Sequence, residues 1–508
     1  MIKRKVFSRF AALTLICCSL LASCKDADTP DDTPDDTPGD AFSGSITPGA
    51  DNNDGQQQPT VDEGDENATY YIATADDLRA MKRKGTYVLT ADIDISDGEW
   101  TPVGTYATPF VGTFDGAGFT VSGLTVTKAE KDAGDCLTYG YTYVGLFGCT
   151  DGATVKNLKL ENININVSSA EDYRVIYAGA IAGNTADTEI TDCSVISGSI
   201  TAQSTGFKAY TGGAVGFSFS TVFTRCSVSA DISAIDSKEN ATAGSITAYL
   251  GAKSELSGCE SNGSVSAVST KGNAYAGGIT GYLYNSSVSK CTASSSVSAS
   301  TVCNESEKGT VGAALAGGIA AFSGGFDKNT ATISVSVSTG SVSASSLDYS
   351  AYAGGITAKQ TFTAITESYS RSAVSASSNL NDGFAGGITA QAASGSIMNG
   401  VFFSGSITVK AKNNDAYFGA LVGFDSTTNL GENGAKLVTD KCGYLQLSEL
   451  SLTVNGNSAS GETLEKLLLH GSAYSSSLLR NRTNLTDYLG WNADNWSFSL
   501  QSFPTVAL

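Results

Sequence analysis

One histidine, three methionines and three tryptophans stand in 508 residues, and 8 prolines accompany 56 glycines. The single histidine excludes any metal centre built on several imidazoles. Charged residues make up only 16% of the chain, and 31 basic against 50 acidic side chains leave a net charge of −19. That balance excludes a generally basic surface of the kind that neutralises nucleic-acid phosphates. No proline occurs between Pro109 and Pro504, as expected where nearly every segment must donate to a hydrogen-bonded ladder. What is present is enough apolar residue, 41%, for a large core. Length alone would suggest about three domains, but the internal order described below argues for one elongated domain.

Lys3, Arg4, Lys5 and Arg9 precede an apolar run from Phe10 to Leu21. The run is too short to span a bilayer stably and has the length of a secretory signal's apolar region. It ends in Leu21-Ala22-Ser23-Cys24, which resembles the lipobox of bacterial lipoproteins. The resemblance implies residues 1–23 as a lipoprotein signal peptide, cleavage before Cys24, lipidation of that cysteine and an anchor in a membrane. Residues 24–67 read as a tether. From Lys25 to Asn67 the chain carries 13 acidic residues, one lysine and five prolines, a composition that cannot bury a core and favours an extended spacer. An acidic segment directly after a lipidated cysteine is similar to the surface-export signals of Bacteroidetes lipoproteins, which implies the outer membrane and its outward face; a spacer facing the periplasm is the alternative.

A short glycine-rich unit then recurs nine times, beginning at residues 145, 180, 213, 245, 278, 318, 355, 387 and 420, as in Gly278-Ile279-Thr280-Gly281. The spacings are 35, 33, 32, 33, 40, 37, 32 and 33 residues. Phe110 to Gly116 reads as a tenth, divergent copy around Gly112. A period near 33 is shared with helical arrays, so composition must decide. Each repeat alternates Ser, Thr, Val, Gly and Ala, as in Ser296-Val297-Ser298-Ala299, a period-2 strand pattern and a poor helix. We therefore expect an all-β chain. It should form a parallel β-helix of about ten coils with three strands per coil (the glycine-rich unit, the cysteine-bearing segment and the Ser-Val-Ser-Ala segment), closed by short helical end caps.

The Gly-Ile-Thr-Gly-like units resemble the GLUG motif of bacterial surface proteins, found also in the non-catalytic part of IgA-protease-type polypeptides. Tyr87 to Ile95, Trp100 to Gly104 and Phe110 to Leu124 look like the opening coils of such domains. The resemblance covers about residues 68–508 and implies a right-handed parallel β-helix at 68–429 followed by a C-terminal coil and cap at 430–508. Several copies end in Ala rather than Gly, so the motif is degenerate.

Within the repeat, Cys193, Cys226, Cys259 and Cys291 recur at spacings of 33, 33 and 32 and should form a column of small buried groups. Disulfides between coils are the other reading. Cys136, Cys149, Cys303 and Cys442 fall outside that spacing. Tyr177, Tyr210, Tyr275, Tyr352, Phe384 and Tyr417 each precede a unit's apolar residue by four, which on an unbroken strand puts them on the same inward face. Phe217, Tyr249, Tyr282 and Phe322 follow it by three, which puts them on the opposite face. They are the candidate ligand-binding residues: an exterior aromatic stripe able to stack on sugars or on a partner's apolar side chains. The competing reading has the chain turn after the unit, so that the rings merely pack at a corner. Thr74 with Asp77 marks a helix start ahead of Leu78, and residues 463–469 read as a second helix. Trp100, Trp491 and Trp496 are expected to seal the rod's ends.

For catalysis, a polysaccharide-degrading β-helix needs a carboxylate pair or a calcium cluster on one face. Between Ala241 and Ala420 only nine acidic residues occur, in no column; Asp92 and Asp94 are close but sit in an opening strand; no HExxH is present. No catalytic residue, metal ligand or cofactor is therefore nominated. The sequence favours a ligand-binding or adhesive cell-surface rod for glycan or a partner protein, with an enzyme or a passive spacer as alternatives. The 40-residue repeat from Gly278 to Gly317, with extra residues at Cys303 to Lys308, marks a candidate binding face.

Overall fold

The computed structural model describes residues 64–128, 140–302, 312–325, 331–412, 415–429, 435–458, 470–499 and 502–507. The signal segment, Cys24, nearly all of the tether, Cys136, Cys303 with the insertion that follows it, and the expected helix at 463–469 lie outside the described residues.

The described chain is a parallel β-solenoid. Each coil holds five strands, not three. In one coil they are Ala274–Gly277 (sheet 1), Thr280–Tyr284 (sheet 2), Ser287–Ser289 (sheet 3), Thr292–Ala293 (sheet 4) and Ser296–Thr301 (sheet 5). Like strands stack in register from coil to coil into sheets of 9, 9, 12, 12 and 11 strands, rising about 4.8 Å per coil. Nine coils thus contain all five strands. The difference from three strands arises at the glycine-rich unit, which is not a strand but the bend between two. Gly277 ends sheet 1, Gly278 and Ile279 turn, and Thr280 opens sheet 2. A side chain at Gly277 would meet the Thr280 carbonyl at 1.8 Å and one at Gly278 the Gly318 carbonyl at 2.1 Å, so in this coil the bend leaves no room for a Cβ, although Ala180, Ser245 and Ala420 open the unit in other coils. The expected tenth copy is corrected on the same ground: Gly112 leads into Thr113–Asp115 of sheet 3, not into a sheet 1 to sheet 2 bend.

A second device turns sheet 3 into sheet 4. Asp192, Arg225, Gly258, Lys290, Val335, Glu367, Gly400 and Lys441, one per coil, all hold φ between 43° and 66°. This left-handed residue points the next side chain inward, and that next residue is the expected cysteine. Cys193, Cys226, Cys259 and Cys291 are buried free thiols. Cys442, assigned outside the column from its spacing, belongs to it: the register runs from Cys291 through Ser336, Ser368 and Val401 to Cys442. Its thiol reaches the carbonyl of Met398 at 3.5 Å, as Cys193 reaches Val155 at 3.7 Å and Cys226 reaches Ile190 at 3.5 Å. Cys193, Cys226, Cys259, Cys291 and Cys442 form no disulfide with one another; burial raises Cys193, Cys259 and Cys442, the last to about 11, whereas hydrogen bonds from Cys193 and Cys259 lower Cys226. Burial at 4% exposure or less keeps these five thiols from reagents in solution.

At the front, helix α1 (Ala75–Arg79) carries the expected capping box: Thr74 accepts from the Asp77 amide and Asp77 accepts from the Thr74 amide. Leu78 and Met81 are buried beneath it. Trp100 is buried near this end, its indole N–H donating to the Leu146 carbonyl. The other two tryptophans do not cap an end. Ser472–Tyr474 ends sheet 4, and residues 478–499 and 502–507, including helix α2 (Arg482–Asp487), fold back along the outer flank of that sheet, where Trp491 and Trp496 stack at 4.1 Å. They cover Val337, Tyr369 and Phe402. The reason is local: earlier coils put Ser227, Glu260 and Thr292 at that outward position, and only the later ones expose apolar groups there for a cap to bury.

Candidate functional site

The expected exterior stripe is corrected. Tyr249, Tyr282 and Phe322 are 5%, 6% and 7% exposed and Phe217 is half-buried. They do form a column, with Phe217 on Tyr249 at 4.4 Å, Tyr249 on Tyr282 at 5.5 Å and Tyr282 on Phe322 at 4.5 Å between ring centroids. Each inner ring therefore spends both faces on its neighbours, and no face remains for a sugar.

The Tyr275 column is corrected too. Ala274 and Ala276 join the main core, whereas Tyr275 joins a second cluster with Tyr249, Tyr282 and Phe322. Both ring columns thus sit on the faces turned away from the main core, yet both are buried. The corner between sheets 1 and 2 is re-entrant, so those two faces close on each other. Tyr275 meets Tyr282 edge-on at 5.6 Å, and Tyr177 and Tyr210 meet Phe217 at 5.1 and 5.8 Å. Alternation fails after the bend as well, because Ala248 and Tyr249, or Ala321 and Phe322, are consecutive and both lie in this second cluster. The packing is close: a Cβ at Gly251 would strike the Tyr249 ring at 2.5 Å.

The filling of this corner changes along the rod. In register with Phe217, the two preceding coils carry Asn184 and Cys149, and the coils after Phe322 carry Lys359 and Gln391. Lys359 sits 4.0 Å above the Tyr352 ring, a cation–π contact. At the front of the corner, Tyr106, Tyr143 and Tyr177 are half-buried and near-parallel, Tyr106 to Tyr143 at 6.1 Å and Tyr143 to Tyr177 at 5.5 Å. Asn184 and Asp151 are half-buried on the facing wall. Burial, and then the charge of Asp187, raise the Asp151 carboxyl.

The broadest uniform surface is the outer face of sheet 5. Thr201, Ser233, Ser266, Ser298, Ser343, Ser375, Thr408 and Thr453 stand in one register column over eight successive coils, each at least partly exposed. Ser264, Ser296 and Ser341 stand beside them at the start of their strands. The sequence contains this signal as the Ser-x-Ser alternation, but only the register shows that the hydroxyls align. A groove of about 710 Å³ lies at the C-terminal side of this face, lined by Leu347, Asp348, Asn379, Leu380, Lys410 and Asn455 among others. Asp92 and Asp94 are turn formers, accepting from the amides of Thr120 and Ser96. Among the described residues no three His, Cys, Asp or Glu side chains converge on a metal-sized site, and no helix is long and apolar enough to cross a membrane.

No known family model and no curated protein matches the sequence. Among solved structures, the chain is similar to a candidate immunoglobulin A1 protease from Bacteroides ovatus, at 17% identity over 87% of this chain and 94% of that one, with a TM-score of 0.34. It is also similar to an IgA1 protease, at 14% identity over 73% of this chain and 21% of that one, TM-score 0.29. A third is the Dettilon tailspike protein, at 10% identity over 72% and 63%, TM-score 0.23. The chain spans about a fifth of the second of these. The class its own topology defines is a parallel β-solenoid with a re-entrant, ring-filled corner.

Proposed function

We propose that the chain is a lipid-anchored cell-surface rod that binds an extended partner, a glycan or a protein, along the flank of the solenoid. Cys24 is the anchoring residue in this reading, the acidic tether holds the rod away from the outer membrane, and the GLUG-like repeats supply the scaffold. The observation that carries it is the column of eight in-register hydroxyls on the outer face of sheet 5. Hydroxyls repeating about every 4.8 Å along a rod offer donors and acceptors at a period suited to another repeating chain.

The test is binding by the full chain to a glycan array and to candidate partner cells, with Ser298→Lys and Ser343→Lys compared against Ser287→Lys on the outer face of sheet 3. Loss of binding in the first pair alone supports the reading; equal binding in all three, or none in the parent chain, overturns it. Dye-labelled polysaccharides in the same assay detect cleavage, and acyl labelling of a Cys24→Ala variant tests the anchor.

A further inference from the structure

From the stacking of like side chains inside the solenoid we infer that Cys193, Cys226, Cys259 and Cys291 form a binding column for soft monovalent metal ions, Cu⁺ or Ag⁺, each ion held in a line between the sulfurs of two successive coils. This site is inside the rod and does not depend on what the outer faces bind.

The four cysteines stand in register in four consecutive coils, each directly after a residue at φ between 51° and 66°. Each thiol makes the same contact, to the carbonyl two residues before it: Thr191 at 3.4 Å, Thr224 at 3.6 Å, Ser257 at 3.7 Å and Ser289 at 3.2 Å. Side chains that repeat one contact in one register point the same way, so the sulfurs stand one above the next at the coil rise of about 4.8 Å. They also communicate. Hydrogen bonds from Cys193 and Cys259 hold the Cys226 thiol well below its usual range, and Cys259 is linked in turn to Cys226 and Cys291.

That spacing is selective. A metal–sulfur bond is about 2.3 Å long, so an ion midway between two sulfurs needs them about 4.6 Å apart. Zinc takes four ligands around it, whereas a column offers one sulfur above and one below, and no group of three His, Cys, Asp or Glu side chains suited to a metal occurs among the described residues. Calcium and magnesium take oxygens. Soft thiolates select ions such as Cu⁺, and closed-shell monovalent ions of this kind accept two sulfurs in a line. The four cysteines belong to the main apolar core, where an unbalanced charge is costly. One monovalent ion displaces one proton, which leaves for solvent, and the pair becomes thiolate, thiol and ion with no net charge. With each sulfur bonded to one ion, four thiols hold two ions. Cys442 is separated from the column by Ser336, Ser368 and Val401, so its thiol has no sulfur to pair with and should hold none.

The experiment uses the full chain, its accessible thiols first alkylated under native conditions. Because the folded column is no more than 1% exposed, the chain is then unfolded and refolded with silver nitrate, stripped of surface silver on a thiol resin, and assayed for silver by mass spectrometry. The parent chain is expected to retain two silver ions and to melt at a higher temperature than without silver. Cys226→Ser should retain one ion, and Cys226→Ser with Cys259→Ser none. Serine already stands in this column at Ser336 and Ser368, so both variants should fold. X-ray absorption on the parent chain needs no variant and should find two sulfurs around each silver. Absence of silver from the refolded parent, one or four sulfurs per ion, or equal retention by the double variant would each overturn the site.

Discussion

Tyr249 lies flat on Phe217, the ring planes 2° apart and the centroids 4.4 Å apart. A residue that had the look of a solvent-facing platform is thus a structural member of a ring column. Removing it should cost stability before it costs recognition.

Tyr249→Ala is expected to destabilise the fold by about 3–5 kcal/mol, the range for deleting a buried aromatic side chain. Chemical denaturation would measure it. A value below about 0.5 kcal/mol would mean that the ring is exposed after all and would restore the exterior stripe.

Asp236 should make stability depend on pH. It occupies a column otherwise held by Ser204, Ser269, Thr301 and Ser346, where the hydroxyl accepts turn amides, as Ser346 does from Tyr349. Asp236 accepts from Lys238 and Glu239 through one oxygen while its other oxygen is buried without a partner. Burial pushes its carboxyl up to about 7. An unfolded Asp titrates near 3.9, so the native state holds the proton more tightly. Stability is full below about pH 4, declines as pH rises, and levels off above about 7. Asp236→Ser should flatten that decline, its advantage over the parent growing from pH 4 to pH 7 to at most about 4 kcal/mol. The same stability difference between variant and parent in urea melts at pH 4 and at pH 7 would contradict this.

Lys290 holds φ at 54° in the left-handed turn before the cysteine column. Lys290→Asn should raise stability by several tenths to about 1 kcal/mol, because Asn tolerates this region better than other non-glycine residues. The check is the shift in melting temperature; a fall would show that the Lys290 side chain contributes more than its backbone strain costs.

The C-terminal cap should depend on Tyr369. Its hydroxyl donates to the Pro504 carbonyl at 2.6 Å and its ring stacks on Phe402 at 4.7 Å. Tyr369→Ser restores the kind of residue found at this position in earlier coils, such as Ser227. The expected outcome is detachment of the cap that follows Ser472–Tyr474 while the solenoid stays folded, read as a red shift of Trp491 and Trp496 emission and faster amide exchange there. Unchanged emission would mean that the remaining contacts hold the cap alone.

Thiol chemistry offers a last check. Alkylation under native conditions should spare Cys193, Cys226, Cys259, Cys291 and Cys442 alike, and denaturant should expose all five together. Selective labelling of Cys442 would place it outside the column.

The sequence by itself determined the repeat, its period, the strand character and the inward column of four cysteines. These follow from composition and spacing, and a stacked coil must place like residues above one another. It also contained the alternation that aligns Ser266, Ser298 and Ser343. It did not contain the direction of the bend at Gly278-Ile279. Side-chain parity holds only along an unbroken strand, and a two-residue bend resets it, so Tyr275 and Tyr282 could be assigned to faces only once sheets 1 and 2 were seen to close on each other. Cys442 was hidden for a related reason: insertions lengthen the intervening coils, so distance along the chain no longer measures height along the rod. Whether a ring is buried was decided by tertiary packing alone, because burial depends on what the next layer brings against it.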